Sequence, residues 1–185
     1  MRRVPVLPTL LVLAAVAVML ALGVWQLRRL HEKEALMARY AAANADTRPV
    51  SWSGRGVGQH LLYRRARLRC AAVEERSGIA GRNAAGQPGI AQTARCALAG
   101  GGTALVVLGW SLDPLAKVDW RGGPVTGVIA PGPRLVADPP LAGLEANALP
   151  DPAEIPNNHL SYAIQWFLFA ATAVVVYVLA LRRRG

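Results

Sequence analysis

The chain has 185 residues, of which 53% are hydrophobic and only 17% are charged. This length leaves room for one modest domain besides any membrane segments, and the charged fraction is below the quarter usual in soluble proteins. A net charge of +10 could indicate a nucleic-acid partner, but no RNA- or DNA-binding motif accompanies it. Composition therefore predicts a membrane protein whose partner is a lipid bilayer and not a nucleic acid, and the elements that follow assign it to the α+β class.

The first apolar segment, residues 4–27, is predicted to be a transmembrane helix because it contains the unbroken apolar run Leu10–Val24. A signal peptide would also begin with basic residues such as Arg2 and Arg3, followed by an apolar run. The segment is long for a signal peptide, and Ala21–Gly23 is only a weak cleavage site. We therefore predict an anchor that is not cleaved.

Residues 28–48 are predicted to continue the helix beyond the membrane as an amphipathic extension. Leu27, Leu30, Met37 and Tyr40 follow the spacing of one helical face. We expect this face to cover part of the domain that follows.

Residues 49–138 are predicted to form a small β-rich domain. Ala66–Cys70 alternates with period two, as a half-buried strand does, and Ala99–Gly102 is typical of a hairpin turn. The segment 81–89 is predicted to be a loop. The other predicted strands are Gly89–Leu98, Thr103–Trp110, Pro124–Ala130 and Arg134–Ala137.

The two cysteines, Cys70 and Cys96, lie in this domain. A disulfide and two small buried thiols are both compatible with the sequence. Neither cysteine belongs to a CxxC or CxxCH motif, which argues against a thioredoxin-like site and against covalent haem attachment.

A proline-rich tether, residues 139–159, leads to the second predicted transmembrane helix, residues 160–181. This helix carries no charge, and at 1.5 Å per residue it is about 33 Å long, enough to cross a hydrocarbon core. Arginines at both chain ends favour cytoplasmic termini, whereas those just after the first span nearly balance them. Long loops are translocated largely regardless of charge, so we expect cytoplasmic termini and an extracytoplasmic domain.

His159 is the most informative polar residue of the chain. Asn157 and Asn158 are favourable N-cap residues, which places His159 in the first turn of the second span. The helix dipole favours a neutral imidazole there, and a neutral imidazole can ligate haem iron. Tyr162 and Trp166 share its helical face and could line a flat apolar macrocycle. The alternative is an ordinary interfacial belt of aromatic residues.

The outer end of the first span carries a second group of candidates, namely Trp25, Gln26, Arg28 and Arg29. The two arginines could pair with the propionates of a porphyrin. The alternative is that they anchor the helix by reaching toward water from the interface.

No recognisable catalytic motif is present. The three histidines form neither HxxxH nor HExxH, and no serine lies in a GxSxG context. We therefore expect a protein that is not an enzyme, although a catalytic site around His60 or Asp113 is a further alternative.

Two terminal motifs resemble those of the Surfeit locus protein 1 family. Leu22–Leu30 (LGVWQLRRL) resembles the family's opening LGxWQxxRL signature, and Asn157–Trp166 (NNHLSYAIQW) resembles its closing NxHLxYAxxW signature. Between them, Gly109-Trp110 is similar to the family's RGW element and Pro88-Gly89 to its PG element. The resemblance covers the early span, the outer domain and the late span.

This resemblance implies an assembly chaperone for cytochrome c oxidase of the respiratory chain. It further implies binding of haem a, with His159 as iron ligand, and delivery of the haem to oxidase subunit I, with haem a synthase as another partner. The location implied is a bacterial inner membrane, with a periplasmic domain. The alternative function is a membrane-tethered scaffold that contacts oxidase subunits without holding haem.

Overall fold

A computed structural model describes residues 5–52 and 57–183. Outside the described residues lie three arginines on which the predicted topology depends, Arg2, Arg3 and Arg184, and also Val4, the first residue of the predicted first span. The chain divides into two compact units. The helix unit comprises Met1–Leu36 and Pro156–Gly185, and the sheet unit comprises Met37–Ile155.

Two long apolar helices lie near the ends of the chain. Helix α1 is Val6–Ala45 and helix α2 is His159–Arg183. At 1.5 Å per residue they are about 60 and 37 Å long, and both are long and apolar enough to cross a membrane. Helix α1 runs without a break through the first apolar segment and the amphipathic extension, because no proline or glycine pair interrupts residues 9–45.

Six strands form one sheet that closes on itself. The spatial order is β1-β2-β3-β4-β6-β5, and β2 also pairs with β5. Strands β2, β3, β4, β6 and β5 therefore form a closed ring, in which β4 and β6 are parallel and the other neighbours antiparallel. The strand bounds are β1 Val50–Ser51, β2 Arg65–Arg82, β3 Pro88–Leu98, β4 Thr103–Ser111, β5 Gly123–Ala130 and β6 Arg134–Ala137.

Every strand predicted from the sequence lies in an observed strand, but β2 is much longer than predicted. It continues twelve residues beyond Cys70, and it pairs with β3 as far as Arg82 opposite Pro88. The predicted loop 81–89 is therefore wrong at both ends. The turn is shorter because the Asn83 side chain accepts hydrogen bonds from the backbone N–H groups of Ala85 and Gln87, at 3.1 and 2.9 Å.

The core of the sheet unit lies inside the ring. Its inward side chains come from alternating positions of the strands, as the period of a strand requires. The largest fully buried side chains include Val106, Leu108, Ile129 and Leu135. Residues of the predicted tether also reach this core, since Leu141 and Leu144 pack against it. The segment after β6 is thus irregular in conformation but attached to the sheet.

Cys70 and Cys96 form a disulfide, which joins β2 to β3 with Cα atoms 5.2 Å apart. Both residues are almost completely buried. The pairing register places Val73 opposite Cys96 and Cys70 opposite Leu98, with an irregularity between Cys70 and Ala72. The sequence left the state of these cysteines open, and the structure joins them diagonally beside the irregularity and not as directly opposed residues.

The end of α1 is attached to the sheet within the same unit. The Asp46 carboxylate accepts a hydrogen bond from the Arg48 side chain and forms an ion pair with Arg64, each at 3.0 Å. Hydrogen bonds from Arg48, more than the Coulomb attraction of the two guanidinium groups, lower the pKa of Asp46 from 3.8 to about 2. The Tyr40 and Tyr63 rings lie 4.8 Å apart, and burial raises the pKa of Tyr63.

The two central motif elements pack against each other across β3 and β4. The indole of Trp110 occupies the space that a side chain at Gly89 would need. At Gly109, a Cβ atom would lie 2.6 Å from Leu144 Cβ and 2.7 Å from the carbonyl oxygen of Glu145. Both glycines are therefore required by close approach, one under an aromatic ring and the other beside a neighbouring backbone.

Candidate functional site

Helices α1 and α2 pack as an antiparallel pair within the helix unit. Thr9 and Tyr177 form a hydrogen bond near one end of the pair, and Gln26 and His159 form one near the other. The side chains that are at least partly buried recur every three or four residues, which is the spacing of one helical face. On α1 they include Val12, Val16, Met19, Gly23 and Leu30, and on α2 Ala163, Trp166, Phe167, Ala170 and Ala173.

His159 is the first residue of α2. The first helical hydrogen bond here runs from the backbone N–H of Tyr162 to the carbonyl oxygen of Asn158, at 3.2 Å. This agrees with the prediction that Asn157 and Asn158 precede the helix and that His159 lies in its first turn. The imidazole therefore lies at the end of α2 where backbone N–H groups are free of intrahelical partners.

The imidazole of His159 is in contact with Gln26 of α1. Its Nδ1 atom lies 2.7 Å from Oε1 of Gln26, and both side chains are partly buried. The two residues are 133 positions apart in the chain. This hydrogen bond brings the opening and closing motifs together at one end of the helix pair.

Small buried residues lie beside this contact on both helices. Gly23 lies one turn before Gln26 on α1, and Ala163 lies one turn after His159 on α2; both are buried. A Cβ atom at Gly23 would lie only 2.5 Å from Cε1 of Phe167. The glycine of the opening motif is therefore explained by packing, since the Phe167 ring fills the space of the missing side chain.

The aromatic candidates differ in their placement. Trp166 is partly buried, and its ring meets that of Phe169 edge to face at 6.1 Å. Tyr162 and Trp25 are each 50% exposed in the protein alone. Of the predicted aromatic lining, Trp166 thus lies on the face that α2 turns toward α1, whereas Tyr162 and Trp25 lie on outer surfaces.

The two candidate arginines lie on the exposed side of α1. Arg29 forms an ion pair with Glu32, one turn later on the same helix, at 2.5 Å. Arg28 is exposed as well. Gly23, Gln26 and Leu30 form the face toward α2; Arg29, three residues after Gln26, lies at the edge of this face, whereas Arg28 lies on the opposite side of the helix.

Phe167 is the packing residue that sequence reasoning missed. It lies four residues after Ala163 and eight after His159, so helical spacing alone could have placed it on the same face. The predicted face of His159 contained Tyr162 and Trp166 instead. The partner of Gln26 could not be found in this way, since no spacing rule links positions on two separate helices.

The alternative catalytic residues of the sheet unit show no such convergence. A cavity of 860 Å³ lies on this unit, and neither His60 nor Asp113 is among its lining residues. Two of its carboxylates have structural roles, because Asp138 pairs with Arg65 at 3.1 Å and Asp151 caps the turn at Ala153. Among the described residues, no cluster of three or more His, Cys, Asp or Glu could hold a metal ion.

These features define a class of protein with two long apolar helices, a small closed β-sheet and a histidine held at one end of the helix pair. The sequence model of the SURF1 family matches residues 13–171, from within α1 to within α2. The chain belongs to the SURF1 family. This family is linked to the assembly of cytochrome c oxidase and is not a known catalytic family. No curated protein matches the chain.

Proposed function

We propose that this protein is a membrane-anchored chaperone that binds haem a and assists its insertion into subunit I of cytochrome c oxidase. The observation that carries the proposal is the contact between Gln26 and His159. The two most specific motifs of the sequence meet at this contact, although 133 residues separate them. A meeting of two motifs at one polar contact between apolar helices is the arrangement expected of a binding site.

The chemistry of His159 fits a haem ligand. A neutral imidazole has two ring nitrogens, and Gln26 engages Nδ1, so Nε2 is the nitrogen that would ligate iron. Metal-ligating histidines usually make a hydrogen bond of this kind through their second nitrogen. When bound, haem a would supply an iron centre, and His159 would hold that iron through Nε2.

Residues around His159 would hold the porphyrin. Trp166, Tyr162 and Trp25 offer aromatic surface, which packs against flat apolar rings. Arg28 or Arg29 would meet the propionates. The ion pair of Arg29 with Glu32 is exposed, with side-chain exposures of 52% and 61%, and such pairs contribute at most about 1 kcal/mol. A propionate could therefore replace Glu32 at little cost.

Two features support a bacterial inner membrane protein with its sheet unit outside the cytoplasm. Only 6% of the most apolar window of each helix is buried within the protein, so large apolar side chains such as Leu11 and Leu168 face outward. A bilayer would cover them. The disulfide between Cys70 and Cys96 suits an oxidising compartment. This supports a periplasmic sheet unit and cytoplasmic termini.

Purification of the full-length protein from cells that make haem a tests the proposal. We expect the wild type to carry haem a, as seen in its absorption spectrum, and His159→Ala to lose it. The matched control is His31→Ala, because His31 is an exposed histidine of α1 and its removal should leave the haem content unchanged. Equal haem content in wild type and His159→Ala would refute the ligand assignment.

The same preparation distinguishes the proposed chaperone from the alternative, a scaffold that does not hold haem. A scaffold would be free of haem and would still co-purify with oxidase subunit I. A chaperone would carry haem and, when incubated with haem-free subunit I, would transfer it. Capture of haem a synthase together with this protein would add the partner that produces the haem.

A further inference from the structure

Gln26 is an unusual residue for the packed face of an apolar helix pair, and it lies near the end of the pair with close neighbours around it. The amide lies one turn from Gly23, where the Phe167 ring packs against the backbone of α1. His159 lies one turn from Ala163, which is 1% exposed. Both partners of the 2.7 Å hydrogen bond are therefore held by adjacent close packing, and a polar contact in such surroundings is stronger than one in water.

The identity of the contacting atoms determines the direction of this hydrogen bond. The atom of Gln26 that faces Nδ1 is the carbonyl oxygen Oε1, which can only accept. With the carbonyl oxygen in this position, the contact is a hydrogen bond in the tautomer that carries its proton on Nδ1. A neutral imidazole has a single N–H, so its lone pair then resides on Nε2.

We propose that Gln26 is a positioning residue that holds His159 in the Nδ1–H tautomer and fixes the ring so that Nε2 presents the lone pair. The use of that lone pair toward haem iron rests on the proposed function, but the tautomer itself does not. An unpartnered imidazole could rotate and exchange its proton between the two nitrogens. Gln26 removes both freedoms before any ligand binds, which lowers the ordering cost of ligation.

The tautomer can be measured in the haem-free protein. Full-length protein with ¹⁵N-labelled histidine is prepared in detergent micelles at mildly alkaline pH, and the ring nitrogen shifts of His159 are assigned with His31→Ala and His60→Ala. We expect a protonated Nδ1 and an unprotonated Nε2 in the wild type. A wild-type spectrum with the proton on Nε2 would overturn the inference without reference to any variant.

Variants of Gln26 test the positioning role. Gln26→Glu keeps an acceptor oxygen and should preserve the Nδ1–H tautomer, whereas Gln26→Leu removes the acceptor and should lose it. Removal of such a partner typically weakens metal affinity about 10- to 100-fold, so we expect this loss of haem a affinity in Gln26→Leu and a recovery in Gln26→Glu. The matched control is Gln165→Leu, because Gln165 is exposed on α2 and should leave tautomer and affinity unchanged.

The outcomes separate this inference from the proposed function. If His159→Ala loses haem a while Gln26→Leu keeps wild-type tautomer and affinity, the positioning role is wrong and the ligand assignment stands. If the tautomer responds to Gln26→Leu as expected but His159→Ala retains haem a, the positioning role stands and the ligand is another residue.

Discussion

Substitution of Gly23 by alanine should separate the two helices at the point where they support His159. A Cβ atom at this position would lie 2.5, 2.7 and 2.9 Å from three carbon atoms of the Phe167 ring. Ordinary contact begins near 3.4 Å, so the ring or the helix must move by about 0.9 Å. Overpacking of this kind costs about 1–3 kcal/mol.

The same displacement acts on the neighbouring hydrogen bond. If α1 and α2 part by about 0.9 Å, the distance of 2.7 Å between Gln26 Oε1 and His159 Nδ1 becomes about 3.6 Å, which is too long for a hydrogen bond. We therefore expect Gly23→Ala to weaken haem a binding in a spectroscopic titration, by a factor similar to that of Gln26→Leu. The exposed Ala21 provides the control, since Ala21→Leu faces away from α2.

A compensating change sharpens this test. Phe167→Leu removes the ring atoms that meet the new methyl group, so the double variant Gly23→Ala/Phe167→Leu should recover part of the lost affinity. An affinity of Gly23→Ala equal to that of Ala21→Leu would refute the reasoning, because it would mean that the ring moves aside without disturbing Gln26 and His159.

Two further predictions concern the sheet unit. The pKa of Asp46 is lowered from 3.8 to about 2 in the folded protein. Asp46 should therefore contribute stability that is complete above about pH 4 and is lost as the pH falls toward 2. Thermal unfolding measured from pH 2 to 6 should show this loss in the wild type and not in Asp46→Asn. The double variant Cys70→Ala/Cys96→Ala removes the disulfide, whose two cysteines have a sequence separation of 26. The entropy of closing a loop of this length corresponds to about 3.5 kcal/mol. We expect urea unfolding to show a loss of about this size in the free energy of unfolding. A loss below about 1 kcal/mol would contradict that estimate.

Much of the fold follows from local patterns. Long runs of apolar residues predict the two helices, and the period-two alternation of side chains predicts a strand at Ala66–Cys70. The second half of β2 has no such signal, because Ala71–Arg82 is exposed at almost every position. These residues are held in a strand by hairpin pairing with β3, and such pairing does not require alternation of apolar and polar residues in a strand that is exposed on both faces.

The candidate site shows the same division. Helical spacing and N-cap chemistry place His159 in the first turn of α2, and the closing motif marks it as special. The arginines were predicted near the porphyrin from their position at the outer end of the first span, and the structure shows both exposed on α1. Membership of a motif indicates that a residue is important. It does not show whether that residue lies on the side of the helix that packs against the other helix.

The sequence by itself determined the two apolar helices, the β-rich middle and the family, because these depend on composition, periodicity and short motifs along the chain. Only the tertiary structure decided that the sheet closes through β2 and β5, that Cys70 joins Cys96 and that Gln26 meets His159. Each of these is a contact between residues far apart in the chain. Such contacts are selected by the packing of whole elements, which local patterns do not encode.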